Sequence, residues 1–268
     1  MTTVTAAPPA RPAVAPARRG NLALLAHQIR YEQITFWRNP QSAFFTFVFP
    51  VAVISIFGAL FGGAQGDSYY YGATALQYYV PTIAALSLIS SCYSQLAVVL
   101  ALRRQYGLLK RARATPLPAW TYFLGLLAHC AMISIVDVAL ITGIGAVYGM
   151  PAPTHWAALL VTMVAGAACM CAVGIAVGSL IRNADAAPAV VQFILFPLIL
   201  ISGTFFPIHG GVLSDIAGAL PVRALNQALL GPFALHTGFA WHDLAVLVIW
   251  CVFGSVVGVR FFRWEPHP

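Results

Sequence analysis

The chain has 268 residues, of which 60% are hydrophobic and 8% charged, with a formal charge of +7. A soluble domain carries about 25% charged residues, so a water-facing surface cannot be built at this length and most of the surface must face lipid. The basic residues sit in short clusters between long apolar runs, which argues against a nucleic-acid partner and marks topology signals and contacts to anionic membrane lipids.

Residues 1–20 hold Pro8, Pro9, Pro12 and Pro16 among many alanines. Such a stretch cannot build a core, and it is expected to be a disordered, uncleaved cytosolic tail. Next, Leu22, Leu25, Ile29 and Phe36 recur near heptad spacing, with His27, Arg30, Glu32 and Gln33 on other faces. This predicts an amphipathic helix on the inner leaflet, ended by Arg38-Asn39-Pro40 because proline disfavours helix at the residue before it. Glu32 then either serves a function or pairs locally with Arg30 or Arg38.

A hydrocarbon core of about 30 Å needs about 20 apolar residues in a helix. Six stretches qualify, at about 43–63, 78–102, 120–148, 156–181, 186–206 and 244–259. The expected fold is an all-α membrane protein whose residues 21–268 form one transmembrane domain. With the N-terminus in the cytosol, 13 of the 14 basic residues fall inside and only Arg223 outside. The C-terminus is then cytosolic too; Tyr70, Pro153 and Gly211 face outside, and Lys110 and Arg263 inside. Glycine pairs at Gly58/Gly62, Gly145/Gly149, Gly174/Gly178 and Gly254/Gly258 predict close helix packing. Residues 207–242 are too many for a turn, are still apolar, and are punctuated by Pro207, Pro221 and Gly231-Pro232, so they are expected to fold back as short helices.

No enzyme constellation appears. The only lysine is Lys110, and no G-x-x-x-x-G-K-[ST] pattern ends there, so ATP cannot be bound through a P-loop. The five cysteines all fall in apolar segments with no clustered His or carboxylate, and read as small hydrophobes, not metal ligands. Asp137 is the one carboxylate deep inside a span, where a charge is costly and marks function or pairing. Three readings stand for it: a neutral acid hydrogen-bonded to Ser134 or another helix, a polar group on a substrate pathway, or a proton relay with His129. The last would make the chain a proton-coupled secondary transporter.

Certain motifs say more. Arg30-Tyr31-Glu32 is followed by Phe36-Trp37-Arg38-Asn39-Pro40, Phe49-Pro50 and Tyr79-Val80-Pro81. Arg103-Arg104-Gln105-Tyr106-Gly107-Leu108-Leu109-Lys110-Arg111 leads to Thr115-Pro116-Leu117-Pro118, and Ser202-Gly203-Thr204-Phe205-Phe206-Pro207 precedes Pro221. In this order the set resembles the type-2 ABC exporter permeases, particularly the drug-exporter branch similar to daunorubicin and doxorubicin resistance permeases, over residues 21–262.

The resemblance implies a permease that pairs with an identical or homologous permease and with two cytosolic ATPase subunits. These carry the ATP and magnesium, and this chain binds no cofactor. It implies export of hydrophobic or amphipathic compounds such as drugs or lipids, with polysaccharide or glycolipid as the alternative cargo, across a bacterial cytoplasmic membrane. It also makes residues 105–118 a coupling helix docked in the ATPase, the preceding amphipathic segment with Arg30, Glu32, Trp37 and Arg38 a connecting helix, and 207–242 external re-entrant helices that cap the exit. Gln105 stands where the family pattern is usually acidic. Within the coupling segment, Tyr106 and Leu109 are expected to face the ATPase, Gly107 to permit close approach, and Arg103, Arg104 and Arg111 to lie nearer the headgroups or an acidic rim.

Overall fold

The computed structural model describes residues 20–61, 70, 73–114, 118–204, 211–235 and 237–262. Among these the chain is helical and contains no strand. Lipid dictates this choice, since a backbone polar group without a partner there costs several kcal/mol and a helix satisfies its own. Helix α1 is Asn21–Trp37, α2 is Pro40–Phe61, α3 is Ala75–Ile89 and α4 is Leu96–Gln105, the last two joined by a π turn at Ser90–Gln95. Helix α5 is Leu108–Arg113, α6 Ala119–Val147, α7 Trp156–Leu180, α8 Ala187–Ile201, α9 Val212–Gly218, α10 Pro221–Leu230 and α11 Trp241–Phe261.

Among the described residues, five helical stretches are long and apolar enough to span a membrane: α2, the continuous Ala75–Gln105 unit, α6, α7 and α11. Helix α8 is apolar but has 15 residues, about 22 Å at 1.5 Å per residue. The stretch expected at 186–206 therefore stops early, at Ile201. Ser202 to Thr204 turn, with Gly203 at φ 81°, and 205–210 lie outside the described residues. The tail at 1–19 also lies outside them.

Local chemistry sets several boundaries. Asn39 and Pro40 end α1 and start α2, the Asn39 side chain accepting from Ser42 N at 3.3 Å. Helix α3 opens on a capping box: Thr74 Oγ1 accepts from Gln77 N at 3.1 Å, and Gln77 Oε1 accepts from Thr74 N at 2.8 Å. Gly149, at φ 87°, terminates the turn after α6. A Cβ there would meet nothing within 4 Å, so of the Gly145/Gly149 pair only Gly145 packs, against Val80.

The α3–π–α4 unit is the buried centre, with α6 and α7 against it, while α2 and α11 lie at the edge with most of their surface outward. Two of the expected glycine pairs make close backbone contacts, Gly174/Gly178 and Gly254/Gly258, and Gly58 packs against Tyr148 while Gly62 lies outside the described residues. A Cβ on Gly174 would stand 3.0 Å from the carbonyl oxygens of Cys92 and Tyr93, and one on Gly178 3.0 Å from that of Ala97. Gly254 and Gly258 bring α11 onto α7; a Cβ on Gly254 would lie 2.8 Å from the Ala172 carbonyl carbon. Backbone cannot yield as a side-chain tip can. Gly254→Val is expected to cost about 1–3 kcal/mol through overpacking, read as a lower thermal midpoint in detergent. Gly143→Ala, on an open surface of α6, should leave the midpoint unchanged.

Between α8 and α11, α9 and α10 pack into the bundle as short helices. Pro221 opens α10, which is buried along nearly its whole length, and Leu225 fills the space over Gly166. Arg223, expected on the outer side of the membrane, is buried and donates to Ser214 Oγ at 2.9 Å.

Candidate functional site

Two polar regions interrupt the apolar bundle. The first lies at the end carrying the basic cluster. Helix α1 turns its Gln28–Glu32–Phe36 face inward, and Leu22 is 82% exposed. The sequence expectation put the leucines on the embedded face and the polar residues elsewhere. Leu22 is outward as expected, and His27 and Arg30 are exposed too; the departures are Phe36 and Glu32, which turn inward, Glu32 because a polar group in apolar surroundings gains by reaching buried partners. Gly125 on α6 admits Gln28, whose Cγ sits 2.4 Å from where a Cβ would be.

Glu32 pairs with neither Arg30 nor Arg38, both exposed. Its partner is Arg103 at the end of α4. The guanidinium donates NH1 to Oε1 at 2.8 Å and NH2 to Oε2 at 2.6 Å, a bidentate pair. Gln28 Nε2 also donates to Oε1 at 2.9 Å, and Arg103 donates to the Tyr122 hydroxyl at 2.9 Å. Four side chains thus tie α1, α4 and α6. Arg104, also expected near headgroups, is buried. It donates to the Ser179 carbonyl at 3.1 Å and to the Ile181 carbonyl, satisfying the C-terminal carbonyls of α7. Arg103 and Arg104 are therefore internal fasteners, while Arg111 is exposed.

The segment expected to couple begins as the last residue of α4. Gln105 Oε1 accepts from Ala184 N at 2.8 Å, joining this loop to the one after α7. Gly107, at φ 67°, reverses the chain and α5 follows. Leu109 is 1% exposed and belongs to the core, so it does not face outward with Tyr106. The left-handed turn at Gly107 breaks the helical register on which an i, i+3 count depends. The outward apolar side chains are Tyr106, 65% exposed, and Leu108, 46% exposed, with Lys110, Arg111 and Arg113 beside them. Trp37 is exposed on α1. Thr115, Pro116 and Leu117 lie outside the described residues.

The second polar region is a cavity of about 270 Å³ in the cleft between α2 and α8, floored by α3 and the π turn. Asp137 of α6 reaches its wall, fully buried. Ser87 Oγ donates to Asp137 Oδ2, so the hydrogen-bonded partner is on another helix, as one reading foresaw, and not Ser134. Oδ1 has no hydrogen-bond partner among the described residues. His129 is not brought to Asp137: it packs edge-on to Phe36, ring centroids 5.5 Å apart, and lines a separate cavity with Glu32 and Arg103.

Ser87, Ser90, Ser91 and Ser94 present a polar stripe on the same cavity. The 87, 90, 91, 94 spacing is a helical face readable in the sequence, and it was the signal that would have found them. The π turn carries three of these serines, and such turns recur at functional sites. Pro50, inside α2, lacks the N–H that would bond the Thr46 carbonyl, and both residues line the cavity. Of the expected exit residues, Ser202 and Pro221 are buried, and the Gly203 carbonyl accepts from the buried Tyr78 hydroxyl. Phe205, Phe206 and Pro207 lie outside the described residues. No group of three or more His, Cys, Asp or Glu that could hold a metal occurs among the described residues.

No curated protein matches the chain. The family model described as ABC-2 type transporter matches residues 25–234, which runs from α1 through α10 and takes in both polar regions. The all-helical bundle with its five spanning-length helices agrees with that assignment: the chain belongs to the ABC-2 type transporter family and is a multi-pass membrane permease component of an ABC transporter.

Proposed function

We propose that this chain is the permease subunit of an ATP-driven exporter, working as a pair with a second copy or a homologous permease and with two cytosolic ATPase subunits that supply ATP and magnesium. Residues 21–268 form a single transmembrane domain of six spans, α8 being the fifth, and both ends lie in the cytosol. The cargo is hydrophobic or amphipathic, moved outward across a bacterial cytoplasmic membrane. Helices α9 and α10 cap the exit.

The observation that carries this reading is the junction at Gln105–Arg113. An exposed apolar pair, Tyr106 at the end of α4 and Leu108 at the start of the short helix α5, stands beside a basic cluster. That helix follows α4 across the Gly107 turn, and the end of α4 is clamped to α1 by Glu32–Arg103 and to the loop after α7 by Gln105. A push on α5 would thus reach α1, α3–α4 and α7 together. Helix α1 is the connecting helix in this scheme and α5 the coupling helix.

Co-expression with its ATPase subunit, followed by affinity purification in detergent and mass measurement of the intact complex, tests this. We expect two permeases and two ATPases, and no ATP hydrolysis by the permease alone. A stable monomer that transports without an ATPase would overturn the proposal.

A further inference from the structure

We infer that the cavity holding His129, between α1, α2, α4 and α6, is a binding site for the polyol headgroup of an anionic phospholipid, the phosphatidylglycerol class. The permease reading enters only in placing this lipid in the inner leaflet.

The cavity has a volume of about 130 Å³. A water takes about 30 Å³ of the liquid, so the space suits a group the size of a three-carbon polyol. Its one carboxylate and one guanidinium, Glu32 and Arg103, are paired with each other. Glu32 also accepts from Gln28, and Arg103 also donates to Tyr122. Charge is thus balanced inside the cavity, and a bare ion would meet no surplus counter-charge there.

The hydrogen-bonding capacity left over is neutral. His129 is 6% exposed, and its Nδ1 has no hydrogen-bond partner among the described residues. A buried polar atom left so is costly, and a ligand that pairs with it relieves the cost. Gln95, at the end of the π turn, lines the same cavity, and its amide both donates and accepts. Asn39 spends its Oδ1 on Ser42 N and keeps its NH2 to donate, while Ser42 Oγ can do either. Adjacent hydroxyls, each a donor and an acceptor, match such a set. A trimethylammonium headgroup, which neither donates nor accepts, does not.

The mouth supplies the phosphate contact. Thr35 and Asn39 line the cavity and are exposed, which puts its opening at the turn between α1 and α2. Arg38 is in that turn, exposed and without an ion pair among the described residues. A guanidinium there is suited to a phosphate. Trp37, beside it, is exposed and stacks on Phe47 of α2, ring centroids 5.6 Å apart, an aromatic of the kind that sits at headgroup level. Leu96 and Val99 give the carbon skeleton of the polyol an apolar wall.

The test uses the full chain in detergent and three lipids with identical palmitoyl and oleoyl tails: phosphatidylglycerol, phosphatidic acid, which keeps the negative phosphate without the polyol, and phosphatidylcholine. The dissociation constant of the first bound lipid is read by native mass spectrometry. We expect phosphatidylglycerol to bind roughly tenfold tighter than phosphatidic acid, the scale of about two neutral hydrogen bonds, and phosphatidylcholine to bind most weakly. His129→Phe keeps a ring against Phe36 and removes Nδ1, so it should cut the preference for phosphatidylglycerol over phosphatidic acid severalfold, and adding Gln95→Leu should erase it. Ser42→Ala, at the half-buried edge, should also reduce it and serves where the His129 variant does not fold. Arg38→Gln should weaken both anionic lipids alike. Equal affinity of the wild-type chain for the two anionic lipids overturns the inference, water and surface charge then accounting for the cavity, as does a preference that survives these substitutions in the cavity. No step uses ATP or an ATPase, so a failure here leaves the permease reading standing, and a failure of complex formation leaves the headgroup preference standing.

Discussion

Replacing Tyr106 and Leu108 together by Asp is expected to leave the permease inserted and folded while lowering its capture of the ATPase at least tenfold, or leaving ATP hydrolysis running without export. The two side chains are the outward apolar groups of the 105–113 junction. Aromatic anchors at the centre of an interface carry about 2 kcal/mol or more each, and two carboxylates placed there add desolvation without a partner. Basic neighbours Lys110 and Arg111 remain, so loss of binding would be assigned to the changed Tyr106 and Leu108 positions and not to removal of basic charge. Arg182→Ala, on the exposed part of the other loop, should change little. Leu109→Asp is the necessary contrast: Leu109 sits in the core, and its replacement should reduce the yield of folded protein itself. Wild-type export by the Tyr106→Asp/Leu108→Asp variant with its ATPase bound would reduce the junction to a topology signal.

The second large effect is expected at the Glu32–Arg103 pair. Glu32→Ala strands a guanidinium that is mostly buried, and breaking such a pair from one side costs about 3–5 kcal/mol. A marked fall in the thermal midpoint in detergent should follow. The double variant Glu32→Leu/Arg103→Met removes both charges and keeps volume, so most of the midpoint should return. Export coupled to hydrolysis separates two roles. If the pair transmits motion between α1 and α4, the double variant is stable but poorly coupled. Full recovery of coupling along with stability would make the pair a fastener only.

Much of the architecture was legible beforehand because its causes are local. The stretches at 43–63, 78–102, 120–148 and 156–181 reappear, within a few residues, as α2, the Ala75–Gln105 unit, α6 and α7. Length and unbroken apolar character decide whether a segment is a long helix, and neither depends on the rest of the chain. Asn39-Pro40 as a boundary and Gly174/Gly178 as a contact stripe are equally local.

The site residues divide differently. That Asp137 would be buried and need a partner could be read from one carboxylate in an apolar run. That it bonds Ser87, shares a wall with Ser91 and Ser94, and stands apart from His129 depends on how α3, α6 and the π turn are rotated against one another.

The sequence by itself determined that this is a multi-pass helical membrane protein, where its long helices run and that it lacks a P-loop. Tertiary structure alone decided which side of each helix is inside: Glu32 against Arg103 and not Arg30 or Arg38, Arg104 on the end of α7, Leu109 in the core with Leu108 outside. In water an amphipathic stripe points to the core and reveals the inward face. In lipid the outside is as apolar as the inside, so apolar periodicity carries no such information, and the inward face is set by where polar groups and glycines find partners on other helices.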